Sequence, residues 1–191
     1  MNELYHYFNT ISPIQESTWN VIKNIFSEHT LKKGEYFVKG GEIAKQMGFL
    51  KHGVIRAFYR NLEGVEYNKH FFTKNNMVGG YSSLVTNLPN TIYQQALTDC
   101  TLLIGDYQKI TDILDKHQDL ERLLRKIAES YFVDKEKREL EIVLLEANKR
   151  YEIFQREFPQ LEQLIPQYHI ASYLGITPTQ LSRIRSQNSK A

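Results

Sequence analysis

The stretch "QYHIASYLGITPTQLSRIR", residues 167–185, decides how the rest of the chain is read. Ile170, Ala171 and Leu174 recur at helical spacing and mark one buried face. Ala171 is small where two helices must cross closely. Gly175 follows the last periodic residue, where a left-handed cap closes a helix. Thr177 suits an N-cap and Pro178 a first helical position. Leu181 and Ile184 then give a second helix its own inner face. The outer side carries Thr177, Thr179, Gln180, Ser182, Arg183, Arg185 and Ser186. Such side chains donate to phosphates or base edges, and arginine can pair with guanine through two hydrogen bonds. After Glu162 the sequence holds no Asp or Glu, while Arg183, Arg185 and Lys190 are basic. This spacing predicts a helix-turn-helix that enters a groove of double-stranded DNA. Structural helical hairpins share the bare geometry; the acid-free, polar outer face is what favours DNA.

The whole chain sets bounds on this reading. It has 191 residues, 41% of them hydrophobic, enough for one large domain or two small ones with a real core. Its formal net charge is only +2, so DNA affinity must come from a local patch. Cys100 is the single cysteine and makes neither an internal disulfide nor an iron–sulfur site. The N-terminus lacks the basic-then-apolar pattern of a signal peptide, and no run is long enough for a membrane span. The expectation is a cytoplasmic protein without membrane partners. His6, His29, His52, His70, His117 and His169 show no metal-ligand spacing. No phosphate loop, nucleophile elbow or dinucleotide fingerprint is present, so no enzyme, no metal and no cofactor are expected.

Three patterns succeed one another ahead of the terminal pair. Residues 13–28, with Trp19, Ile22, Ile25 and Phe26, read as a short helix. From about 30 to 106, short runs of β-formers alternate with glycine turns, as in a sandwich or barrel; "NLEGVE" reads as a hairpin turn. From about 107 onward glycine and proline vanish until Pro159. Leu120, Leu123, Leu124, Ile127 and Tyr131 form a stripe with charged flanks, suited to pairing with a second copy. The alternative is a helix packed on its own β-domain. A second helix is expected from about Lys135 to Phe158.

Taken together, "LKKGEYFVKGGEIAKQMGFLKHGVIRAFYRNLEG" and "IASYLGITPTQLSRIR" resemble the Crp/Fnr family of bacterial transcription regulators along essentially the whole chain. The resemblance implies an α+β protein. An N-terminal cyclic-nucleotide-binding-like β-roll, a jelly roll, would act as sensor at 1–115, followed by a dimerisation helix at 116–134. A helix-turn-helix domain would occupy 135–191. It implies a homodimer presenting two recognition helices one DNA turn apart. It leaves activation, which would need contact with RNA polymerase, and repression equally open.

Two departures from the family pattern matter. Members that bind cyclic nucleotide carry a Glu for the ribose and, about ten residues on, an Arg for the phosphate. Here "MVGGY" places Gly80 at the Glu, and Thr91, Ile92 and Tyr93 are assigned to the Arg region. A phosphate buried without its charged partner forgoes about 1.5–3 kcal/mol. Cyclic AMP is therefore not the expected ligand. Gly79, Gly80, Tyr81, Ser82, Ser83, Thr91, Tyr93 and Gln94 would line the equivalent pocket, either for a small-molecule effector of unknown identity or as a filled, inert scaffold. The second departure is at the end, where the β-wing usual after the recognition helix has no counterpart in the sequence. The expectation is a helix-turn-helix lacking a full wing, more dependent on the dimer. The competing class of function is a small-molecule-binding module whose terminal helices make protein contacts.

Overall fold

Apolar residues at two different periods organise the chain, and the computed structural model describes residues 1–188 of it. Lys190 lies outside the described residues. The chain divides into two compact units, residues 1–57 with 71–132, and residues 58–70 with 133–191.

The first unit is built on the β-roll. The strands of the roll are β1 (Phe26–Leu31), β2 (Tyr36–Val38), β3 (Gln46–His52), β4 (Ile55–Arg60), β5 (Glu66–Phe72), β6 (Asn76–Val78), β7 (Tyr93–Ala96) and β8 (Cys100–Asp106), with residues 58–70 of β4 and β5 assigned to the second unit. They form two four-stranded sheets, in the orders β1-β8-β3-β6 and β2-β7-β4-β5. The β8 strand is antiparallel to β1, with Phe26 opposite Gly105, and to β3, with Phe49 opposite Leu103. One core gathers Leu31, Leu50, Ile55, Ala57, Phe72, Val78, Ala96, Cys100 and Leu102. The two sheets form the β-sandwich that the turn spacing leads one to expect, the β-roll that the resemblance implied.

Helices cover the roll. The expected helix over 13–28 is shorter, α2 (Glu16–Ile22), because Phe26 already pairs in β1. Its start is fixed by Asp119, which accepts hydrogen bonds from the Gln15 backbone N–H at 2.7 Å and the Thr18 hydroxyl at 2.9 Å. A helix that the sequence reading missed, α1 (Asn2–Ile11), precedes it and buries Leu4 and Phe8. After β6 come α3 (Tyr81–Thr86) and, after β8, α4 (Tyr107–Thr111) with a short 3-10 turn at Leu114–Lys116.

The long helix α5 runs unbroken from Gln118 to Leu144. The break expected near Lys135 does not occur. No glycine or proline interrupts this charge-dense segment, and Lys135 pairs with Glu139 at 3.3 Å one turn on. The expected dimer stripe on this helix needs correction. Leu120 and Leu123 are fully buried, and Ile127 nearly so, in one cluster with Leu4, Phe8, Phe49, Met77 and Leu103. Leu124 and Tyr131 pack against the same cluster, and the Tyr131 hydroxyl donates to the Met77 carbonyl at 2.9 Å. This stripe therefore faces the chain's own roll, as the alternative reading had it. Burying each leucine there removes apolar surface worth about 1.5–3 kcal/mol.

The second unit contains α6 (Ala147–Glu157), α7 (Leu161–Leu164), α8 (Gln167–Leu174) and α9 (Pro178–Asn188). Phe154, Phe158 and Tyr173 make its aromatic centre, with ring centroids 5.5–5.8 Å apart. The β4–β5 hairpin segment 58–70 belongs here too. Asn68 is 1% exposed and donates through Nδ2 to the His169 carbonyl at 3.0 Å. The Ser172 hydroxyl accepts from the Asn68 backbone N–H at 2.9 Å and donates to the Glu66 carbonyl at 3.0 Å. His70 packs edge-on against Phe158, and burial lowers its pKa to about 4, so it sits neutral in this core.

Candidate nucleic-acid interface and roll pocket

The terminal pair forms as its local chemistry dictates. Gly175 takes φ +67° and ψ +34°, a left-handed conformation that costs glycine nothing. The Ile176 N–H reaches back to the Ala171 carbonyl at 3.0 Å, and the Gly175 N–H to the Ser172 carbonyl at 3.2 Å. Together these two bonds are a Schellman closure of α8. At the other side of the turn, the Gln180 N–H donates to the Thr177 hydroxyl at 3.2 Å. The Gln180 side-chain carbonyl accepts from the Thr177 N–H at 2.9 Å. This reciprocal pair is a capping box with glutamine in the third position. Both helix ends at the turn are thus satisfied from within the motif. Ile170 and Ala171 are fully buried, as is Leu174; Leu181 and Ile184 are buried on the second helix.

All seven residues assigned to DNA are exposed, but they are not equivalent. Thr177 and Gln180 are engaged in the capping box, so their side chains shape the helix start. Thr179, Ser182, Arg183 and Ser186 lie on the outward face. Arg185 instead approaches Glu162 of α7, with Nε 3.7 Å from Oε1. Glu162 is in turn bound by the Tyr151 hydroxyl at 2.7 Å and by Gln155 Nε2 at 3.2 Å. Burial, then the hydrogen bond to Glu162, push the Tyr151 hydroxyl up to about 12. Sequence reasoning did not foresee this link, since nothing local joins positions 151, 162 and 185.

Two arginines fasten the motif to its neighbours in the second unit. Arg150 Nε donates to the Leu174 carbonyl at 3.0 Å and its Nη1 to the Leu145 carbonyl. It therefore closes the C-terminal ends of α8 and α5 at once. The Arg138 guanidinium lies 3.9 Å from the Tyr173 ring centroid, donates to the Tyr173 carbonyl, and pairs with the buried Glu141 at 3.2 Å.

Within the roll, the predicted pocket residues are only partly brought together. Ser83 is buried and bridges two loops, accepting from the Ala44 N–H at 3.0 Å and donating to the Leu88 carbonyl. Gln94 is buried and donates to the Gly79 carbonyl at 2.9 Å. Tyr81, Ser82 and Thr91 point to the surface. The Tyr93 ring lies over Gly40, so close that a Cβ there would stand 2.6 Å from it. The residue facing Gly80 is Asn90, ten positions on. A Cβ on Gly80 would lie 2.5 Å from the Asn90 carboxamide. Asn90 is also pinned through its backbone, accepting from Gly41 at 2.7 Å and donating to Glu42 at 2.9 Å. Asn90 Nδ2 and Gln94 Oε1 are buried with no hydrogen-bond partner among the described residues. Beside them a cleft of about 320 Å³ is lined by Phe37, Glu42, Ile43, Lys45, Asn90 and Asp106, among others. The eight residues assigned to the pocket do not line it. Because Asn90 cannot withdraw, Gly80→Ala should lower stability by about 1–3 kcal/mol, measured by urea unfolding, and by clearly less in an Asn90→Ala background. Equal losses in both backgrounds would show that the two do not touch.

Comparison with known proteins agrees with this construction. Residues 28–117 match the sequence family described as the cyclic nucleotide-binding domain. No curated protein matches the sequence of the chain. Among solved structures, FixK2 from Bradyrhizobium japonicum superposes with a TM-score of 0.77 at 17% identity, over 87% of this chain and 85% of that one. A crp/fnr-family regulator from Eubacterium rectale gives 0.77 at 18% identity, over 100% and 89%. A mutant of CooA from Carboxydothermus hydrogenoformans gives 0.70 at 16% identity, over 93% and 87%. At these identities the likeness concerns fold. Among the described residues no helix is long and apolar enough to cross a membrane, and no three His, Cys, Asp or Glu side chains are grouped to hold a metal. Residues 28–117 thus match the cyclic nucleotide-binding domain family, and the fold of the chain is similar to that of a crp/fnr-family regulator.

Proposed function

We propose that the chain is a homodimeric DNA-binding transcription regulator whose roll does not take cyclic AMP. The observation that carries the reading is the α8–turn–α9 motif, closed at both helix ends and showing DNA an outer face without acids. Arg183 is the base-reading candidate. It is exposed on the outward side of α9, and α9 carries no Asp or Glu to compete for it. Thr179, Ser182 and Ser186 flank it as donors to phosphate.

Pairing through α5 is supported by a different stripe from the one the sequence suggested. Val133, Leu140, Val143 and Leu144 are each more than half exposed, at spacings that keep them on one side of the helix. Leaving four such residues in water is unfavourable, and a second copy of α5 would cover them. Phe132, next to them, is 66% exposed.

The roll supports a sensor of altered chemistry. Gly80 offers no carboxylate for a ribose, and Asn90 facing it is a neutral amide. Asn90 lines the cleft, and its Nδ2, without a partner among the described residues, suits a small ligand that accepts a hydrogen bond.

Arg183→Ala should weaken binding to the preferred duplex by about 1–3 kcal/mol and relax the preference at one base position, as read by fluorescence anisotropy on a panel of single-base variants. Unchanged affinity would remove α9 as the reading helix. Val143→Glu should halve the mass seen by sedimentation equilibrium with little change in thermal midpoint. A dimer that persists would place the interface elsewhere.

A further inference from the structure

Glu162 is the last acidic residue of the chain, and it stands beside the recognition helix. Its carboxylate is held from the protein side. Oε1 accepts from the Tyr151 hydroxyl at 2.7 Å, and Oε2 from Gln155 Nε2 at 3.2 Å, while Gln155 also donates to the Tyr151 oxygen at 3.1 Å. Tyr151 is 2% exposed, so the support is rigid. A carboxylate fixed in this way cannot follow a swinging side chain; Arg185 comes to it.

Arg183 and Arg185 are two positions apart on α9, about 200° around the helix, so they do not share a face. If Arg183 faces the groove, Arg185 lies to the side, where a groove-bound helix meets the phosphate backbone. Its side chain remains 44% exposed with Glu162 at 3.7 Å. A phosphate oxygen can therefore share the guanidinium without displacing the carboxylate, because the planar fork carries five N–H donors.

We propose that Glu162 is a positioning residue that holds Arg185 for a contact with the DNA phosphate backbone. The inference rests on the regulator reading and adds to it a residue that never touches DNA. Glu162 lowers the freedom Arg185 would otherwise lose on binding, the usual gain from preorganisation.

The test is a double-mutant cycle on the full-length protein. The probes are a duplex of roughly 30 base pairs with random sequence and the duplex most enriched from genomic fragments, titrated between about 50 and 200 mM salt. Arg185→Ala is expected to weaken binding to both and flatten the salt slope by about one. Glu162→Gln keeps the shape and the Tyr151 bond, and is expected to weaken binding to the enriched duplex about two- to fivefold, as for a partly exposed ion pair. In the Arg185→Ala background Glu162→Gln should change nothing further. A Glu162→Gln effect of the same size without Arg185, or no effect with it, overturns the inference. Either result, with binding that still depends on Arg183, leaves the regulator reading standing. A wild-type chain that retains neither duplex overturns both.

Discussion

The left-handed residue at Gly175 is the constraint on which the C-terminal unit depends. One φ of +67° reverses the chain between two helices, and only a residue without a Cβ adopts it freely. The bonds around it follow in order. Ala171 and Ser172 give their carbonyls to the turn, and Thr177 with Gln180 restarts the chain. Arg150 and Arg138 then fasten the carbonyls of Leu174 and Tyr173, the two residues ahead of the glycine. The direction of α9, and hence of Arg183, is the outcome.

Much of this was legible because it is local. Caps, turns and helix faces act over three or four residues, so Gly175, Thr177, Pro178, Leu181 and Ile184 could be placed from spacing alone. The roll was legible for the same reason, through its glycine turns. What failed depended on partners far away in sequence. The α5 helix has two apolar stripes, and periodicity cannot say which one the chain covers itself. The structure gives Leu120, Leu123 and Ile127 to the core and leaves Val133, Leu140, Val143 and Leu144 in water. The α1 helix carried a readable Leu4–Phe8 spacing but is only 10 residues long, below the length at which a helix persists by itself. The Glu162–Arg185 approach and the Asn68–His169 bond span 23 and 101 residues and leave no periodic trace.

Packing ties two positions of the roll together. Gly80 and Asn90 are a matched pair: a side chain at one position would occupy the space of the other. The region keeps buried polarity in Asn90 and Gln94. Any ligand that works through such a site must bind one arrangement of the protein better than another, and by enough to matter.

The most direct measurement is selection of genomic fragments by the purified protein near physiological salt, with and without cyclic AMP. The account predicts enrichment of a two-fold symmetric site, the same whether or not the nucleotide is present. Enrichment only with cyclic AMP would contradict the reading of Gly80 and Asn90. Enrichment of no site under either condition would contradict the central claim that this chain is a DNA-binding regulator.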